Sequence, residues 1–143
     1  MRISLEEAQC LILENVTPLA PVRLPLKNAL GYVLAQDVAA GMDQPPFPRS
    51  PYDGYALRSA DSAGASETSP VTLEVVGRSF AGAPANIALG PGEAVRIMTG
   101  GVIPEGADCV VMQEHTDEGE ARVRVFEVLS PYVNFCRQGE DFR

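Results

Sequence analysis

Apolar residues recur along the chain at two different periods, with a proline-rich break between them. Near the start, Ala8, Leu11, Ile12 and Val16 follow helical spacing. Ser4, with Glu7 three residues on, forms the capping box that opens such a helix. Pro18 and Pro21 end it. Val22 and Leu24 alternate with Arg23 as a short extended piece. Asn28-Ala29-Leu30-Gly31 then reads as a helical turn leading into Tyr32 to Val38.

Between Gly41 and Pro51 stand Pro45, Pro46, Pro48 and Pro51. Proline fixes φ and gives up a backbone donor, so this stretch is predicted to be a stiff crossover at a domain boundary rather than helix or central strand. After a polar loop from Asp61 to Pro70 the period becomes two. Val71, Leu73 and Val75 alternate with Thr72 and Glu74, and Gly77 is expected to close that run. Ala88 to Gly92 is turn chemistry, Ala94 to Ile97 a second strand and Cys109 to Gln113 a continuous apolar strand. The Asp117–Glu120 turn predicts that Cys109–Glu114 pairs with Ala121–Val128 as a hairpin within a mostly antiparallel segment 71–128. Short strands with Gly/Pro turns indicate a small β-barrel or sandwich-like domain.

Composition narrows the function. The 143 residues are 45% hydrophobic and 21% charged, ordinary values for a chain with a buried core. The net charge is −8 with Lys27 the single lysine, which argues against nucleic-acid binding. No apolar run approaches the roughly 18 residues of a membrane span, and acids stand where a signal peptide needs an apolar core. A cytoplasmic protein is the expectation. Cys10, Cys109 and Cys136 are odd in number and far apart, so neither a disulfide framework nor a CxxC motif is present. Cys109, inside an apolar run, reads as a small buried hydrophobe.

Three segments can carry chemistry. The first is Pro45-Pro46-Phe47-Pro48-Arg49-Ser50-Pro51-Tyr52-Asp53-Gly54-Tyr55-Ala56, in which a stiffened loop presents a carboxylate; locally, an Asp-Gly turn in which Asp53 caps its own backbone explains it as well. The second is Met98-Thr99-Gly100-Gly101 through Asp108, where a hydroxyl and exposed amides could meet an oxyanion. Its structural alternative is a wide loop in which Gly100, Gly101 and Gly106 supply left-handed angles. The third is Gly139-Glu140-Asp141, a solvated pair of carboxylates or, with Asp53, hard donors for magnesium.

Taken together, these segments resemble the molybdopterin molybdenumtransferase family, which includes the C-terminal domain of gephyrin. The resemblance is carried by Phe47…Ser50…Asp53-Gly54-Tyr55-Ala56, by Arg96-Ile97-Met98-Thr99-Gly100 through Pro104-Glu105-Gly106-Ala107-Asp108 to Val110-Val111-Met112-Gln113-Glu114, and by Asn134 to Asp141. They lie in the family's order and cover essentially the whole chain. Two positions depart: Tyr52 stands where methionine is frequent, and Cys136 where arginine is frequent, with Arg137 a neighbouring substitute.

The resemblance implies a mainly β fold with an N-terminal helix, its small β-barrel or sandwich-like domain (45–131) inserted in a split α+β linker domain (1–44 with 132–143). It implies an N-terminal part of a longer, homodimeric enzyme, with a Gly-rich α/β domain beyond Arg143. The implied reaction is magnesium-dependent: adenylylated molybdopterin and molybdate give molybdenum cofactor with release of AMP. Asp53, Thr99 and Asp141 match catalytic positions, Ser50, Thr99 and Gly100 substrate-binding ones, and Asp53 and Asp141 would be magnesium or water-shell ligands or proton acceptors. On this reading the chain by itself is inactive. Two rival classes remain open: a non-catalytic β-module for dimerisation or partner docking, and a carboxylate-pair hydrolase using Asp53 with Glu114 or Asp141. These residues do not distinguish molybdenum from tungsten.

Overall fold

The computed structural model describes residues 2–143 and divides into two compact units, one ending at Ala39 and one from Ala40 onward. In the first, helix α1 (Leu5–Glu14) starts at the expected capping box. Ser4 Oγ accepts from Glu7 N at 3.1 Å and the Glu7 carboxylate accepts from Ser4 N at 2.9 Å. A single 3₁₀ turn spans Leu26–Asn28. Many large apolar side chains of this unit face solvent, including Leu11, Leu19, Leu26 and Leu30. No helix among the described residues is long and apolar enough to cross a membrane.

The second unit is one curled five-stranded sheet. Its strands are β1 (Gly54–Leu57), β2 (Val71–Ser79), β3 (Glu93–Ile97), β4 (Cys109–Met112) and β5 (Arg122–Val125), in the order β4-β1-β3-β2-β5. Three of its pairings are antiparallel and β2–β3 is parallel. Side chains from all five strands fill the interior: Tyr55 and Leu57, Leu73, Ala94, Cys109 and Val111, Val123 and Val125. On the outer face of β1, Ala56 joins Ile97, Val110 and Ile103, with Ala107 and Phe135 packed against them. β1 is thus buried on both faces. The mainly β fold with one N-terminal helix is as the sequence implies.

The expected hairpin between Cys109–Glu114 and Ala121–Val128 is not formed by those runs. β4 pairs with β1, from Gly54↔Met112 to Leu57↔Cys109, and β5 pairs with β2. The reason is local: a 3₁₀ turn at Gln113–His115, tied by Thr116 Oγ1 donating to Gln113 O at 2.8 Å, breaks the strand before the Asp117–Glu120 turn is reached. Beyond that break the chain does meet β5, through the Thr116↔Val125 bridge, Phe126 N to His115 O at 3.1 Å and Asp117 N to Arg124 O at 3.3 Å. Those bonds close the sheet into a barrel. Gly77 does not end β2 either. It marks a register shift against β3, after which the strand continues to Ser79.

Cys109 fulfils its role as a small core residue. Its Sγ lies 3.5 Å from Leu57 O, and burial pushes its thiol up to about 12. The thiolate is the reactive species. Alkylation of the folded chain at about pH 8 is therefore expected to modify exposed Cys10 and spare Cys109 until denaturant is added, as peptide mass mapping would show. Prompt labelling of Cys109 would mean that the barrel opens readily.

Candidate functional site

The proline-stiffened loop delivers Asp53 to the start of β1, and the loop after β3 delivers Thr99 to meet it. Asp53 Oδ1 accepts from Thr99 N at 2.7 Å and from Thr99 Oγ1 at 2.8 Å. Asp53 therefore caps a loop 46 residues away rather than its own backbone. Its companion Gly54 has no left-handed φ and is the first residue of a strand, so the Asp-Gly turn is not formed. The two Thr99 hydrogen bonds, assisted by the charge of Arg96, hold the Asp53 carboxyl below its ordinary range. It is an anion at neutral pH. Its second oxygen accepts no hydrogen bond among the described residues and is the one available to a ligand.

The two loops are bound to each other through backbone. Ser50 N donates to Gly101 O at 3.0 Å and Gly100 N donates to Ser50 O at 2.8 Å. Ser50 itself is 0% exposed, and its hydroxyl is engaged with Tyr52, donating to the carbonyl at 2.6 Å and accepting from the amide at 3.2 Å. Ser50 thus fixes the loop from inside. Gly100 and Gly106 do adopt left-handed angles, φ 81° and 88°. Gly101 does not; a Cβ there would meet the carbonyl oxygens of Ser79 at 2.8 Å and Met98 at 2.9 Å, so its smallness permits close backbone approach.

Asp141 belongs to a second strip of backbone pairing. The return segment runs antiparallel to the proline loop, with Arg49↔Cys136 and Gln44↔Phe142 bridges, and Asp141 N donates to Gln44 O at 2.9 Å. Asp141 is exposed. Glu114, the other carboxylate considered, sits in the 3₁₀ turn after β4. Among the described residues no three His, Cys, Asp or Glu side chains cluster as a metal site. The free Asp53 oxygen suffices for one protein ligand to a hard cation, not for a cage.

Sequence reasoning missed Arg96 and Gln113 as parts of this site. Arg96 shares the interior face of β3 with Ala94, opposite Tyr55. Its guanidinium lies 4.8 Å above the Tyr55 ring, and Nη2 donates to Gln113 Oε1 at 2.6 Å. Gln113 N in turn donates to Asp53 O at 3.0 Å. The sequence carried no local signal for Arg96: alternation with Val95 and Ile97 would turn it to solvent, and its inward register follows only from the pairing Tyr55↔Arg96.

Over residues 3–143 the chain matches the family model described as MoeA N-terminal region (domain I and II). It is 38% identical over 141 residues to a molybdopterin molybdenumtransferase of Staphylococcus epidermidis, covering 99% of this chain and 34% of the relative. To that of Staphylococcus aureus it is 39% identical over 139 residues, covering 97% and 33%. Among solved structures, the molybdopterin biosynthesis moeA protein from Pyrococcus horikoshii OT3 is similar with a TM-score of 0.85 at 35% identity, over 96% of this chain and 37% of that one. The chain spans about a third of the length of the curated relatives it matches. With a matching family model along nearly its whole length and a sheet that superimposes on a solved relative, the chain belongs to the MoeA N-terminal region family.

Proposed function

We propose that this chain supplies one wall of the active site of a molybdopterin molybdenumtransferase. In that reaction, adenylylated molybdopterin and molybdate give molybdenum cofactor, and cleavage of the phosphoanhydride releases AMP. The observation that carries the reading is the Asp53–Thr99 pair, a carboxylate immobilised by two hydrogen bonds with its other oxygen free. Such preorganisation costs nothing at the moment of reaction. Thr99 spends its hydroxyl on orienting Asp53, so its role is positioning. Asp53 can accept a proton or hold water against the reacting oxyanions. Magnesium, where bound, would take the free Asp53 oxygen and complete its sphere with water and substrate phosphates, and it would neutralise charge on the phosphoanhydride. Asp141 is proposed to face the same substrates.

In the parent protein, we assign residues 1–44 with 132–143 to a split linker domain around a β-domain of 45–131, within a cytoplasmic homodimer. The exposed apolar side chains of the first unit, Leu19, Leu26 and Leu30 above all, support an assembly that covers them. They equally favour the second reading, a β-module used for dimerisation or docking alone. Turnover separates the two. A protein of the relatives' full length should form molybdenum cofactor from adenylylated molybdopterin and molybdate, while the 143-residue chain, which spans about a third of that length, should not. A parent that dimerises but forms no cofactor would leave only the docking role.

A further inference from the structure

We propose that the mouth of the barrel is an oxyanion-binding site, in which Arg96 and Arg78 take the terminal oxygens of a phosphate monoester or of a tetrahedral oxometallate. A cavity of about 310 Å³ opens there, walled by Tyr55, Phe80 and Met98 and roofed by the 118–120 loop. Both arginines line it, on neighbouring strands and in register with each other. Arg96 is fixed by its stacking on Tyr55 and its bond to Gln113, yet its Nη1 is buried with no hydrogen-bond partner. An anion in the cavity would meet the part of the Arg96 guanidinium that lines it. No carboxylate lies within ion-pair distance of Arg96 among the described residues.

Arg78 has one ionic partner, Glu120, at 3.8 Å, and both side chains are largely exposed at 55% and 87%. Exposed pairs of this kind hold weakly, so an incoming anion can displace the carboxylate. Two planar guanidinium forks facing one cavity suit the several oxygens of a tetrahedral anion better than a single carboxylate. Glu118, also at the mouth, opposes anions generally and confines binding to ligands that reach both arginines. The roof is tied down by Tyr55 Oη donating to Gly119 O at 3.1 Å.

This site adjoins the proposed active site, since Gln113 bonds both Arg96 and the Asp53 backbone. It rests on that reading only for the identity of the anion, because the proposed substrates carry both phosphate and molybdate. The test is calorimetric titration of the chain with sodium phosphate, sodium molybdate and adenosine monophosphate in separate runs. We expect saturable binding in at least one run, weakened about tenfold or more in Arg96→Gln. Glu120→Gln, which frees Arg78, should tighten the same binding several-fold, an outcome that misfolding cannot imitate. Molybdate binding alone assigns the site to the oxometallate, and binding of either phosphate ligand alone assigns it to the phosphate end. No saturable binding in any run, or affinities unchanged in both variants, would overturn the proposal. Asp53 is judged separately, by turnover of the parent, so failure of one reading leaves the other standing.

Discussion

Asp53→Asn in the full-length parent is expected to lower turnover by about 10²–10⁴, or roughly 3–5 kcal/mol in the barrier, with little change in melting temperature. The reason lies in how Asp53 is held. Asparagine keeps the carbonyl oxygen that accepts from Thr99 N and Oγ1, so the loop contact survives. What changes is the free edge of the side chain, which loses its charge and presents an amide donor instead of an acceptor. A group that only tied two loops together would respond in the opposite way, with about 1 kcal/mol of lost stability at most and normal rates. Cofactor formation and thermal melting measured on the same preparation distinguish these outcomes. Unchanged turnover with a lowered melting point would reduce Asp53 to a loop fastener.

Gly54→Ala is expected to destabilise the barrel by about 3 kcal/mol or more, the upper end of what overpacking ordinarily costs. A Cβ at this position would fall on the carbonyl oxygen of Val111, with Val111 C at 2.9 Å and Met112 Cα at 3.1 Å. All three are backbone atoms of β4, so no side chain can rotate away and the two strands must part. β1 bonds to β3 on one edge and β4 on the other, and so loses its place in the middle of the sheet. For a domain of this size the melting temperature should fall by more than about 10 °C, read by calorimetry. A shift within about 2 °C would show that β1 and β4 are free to move apart.

Local signals made the first helix and four of the strands legible. The capping box at Ser4 and Glu7 needs only four residues to be seen, and β2, β3, β4 and β5 declare themselves by apolar period. β1 did not. It has four residues, follows directly on the proline loop and is buried on both faces, so it shows neither alternation nor length. Without β1, the apolar run at Cys109 had no visible partner except the next strand, which is why a hairpin was expected where the chain instead wraps around the barrel. The candidate site divides in the same way. Asp53 and Thr99 stood out in their own segments, but nothing within either segment says that they touch. That contact depends on the pairing of β1 with β3 and on the exchange of backbone bonds between Ser50 and the two glycines. Arg96 was hidden because an arginine in a strand ordinarily points to solvent, and the inward register is visible only once Ala94 and Tyr55 are placed.

Closure of the sheet also bears on how the molecule behaves in a crowded solution. A strand with a free edge is a template for another chain, and growth by addition of strands is the usual route from a β-domain to fibrils. Here β5 is engaged by the 115–117 segment, and the outer side of β4 is engaged by Val110 N donating to Val133 O and by Tyr132 N donating to Asp108 O. Both ends of the sheet are thereby spent within the chain. Contact between copies through this unit falls to side chains, whose charges and shapes can be selective in a way that bare backbone cannot.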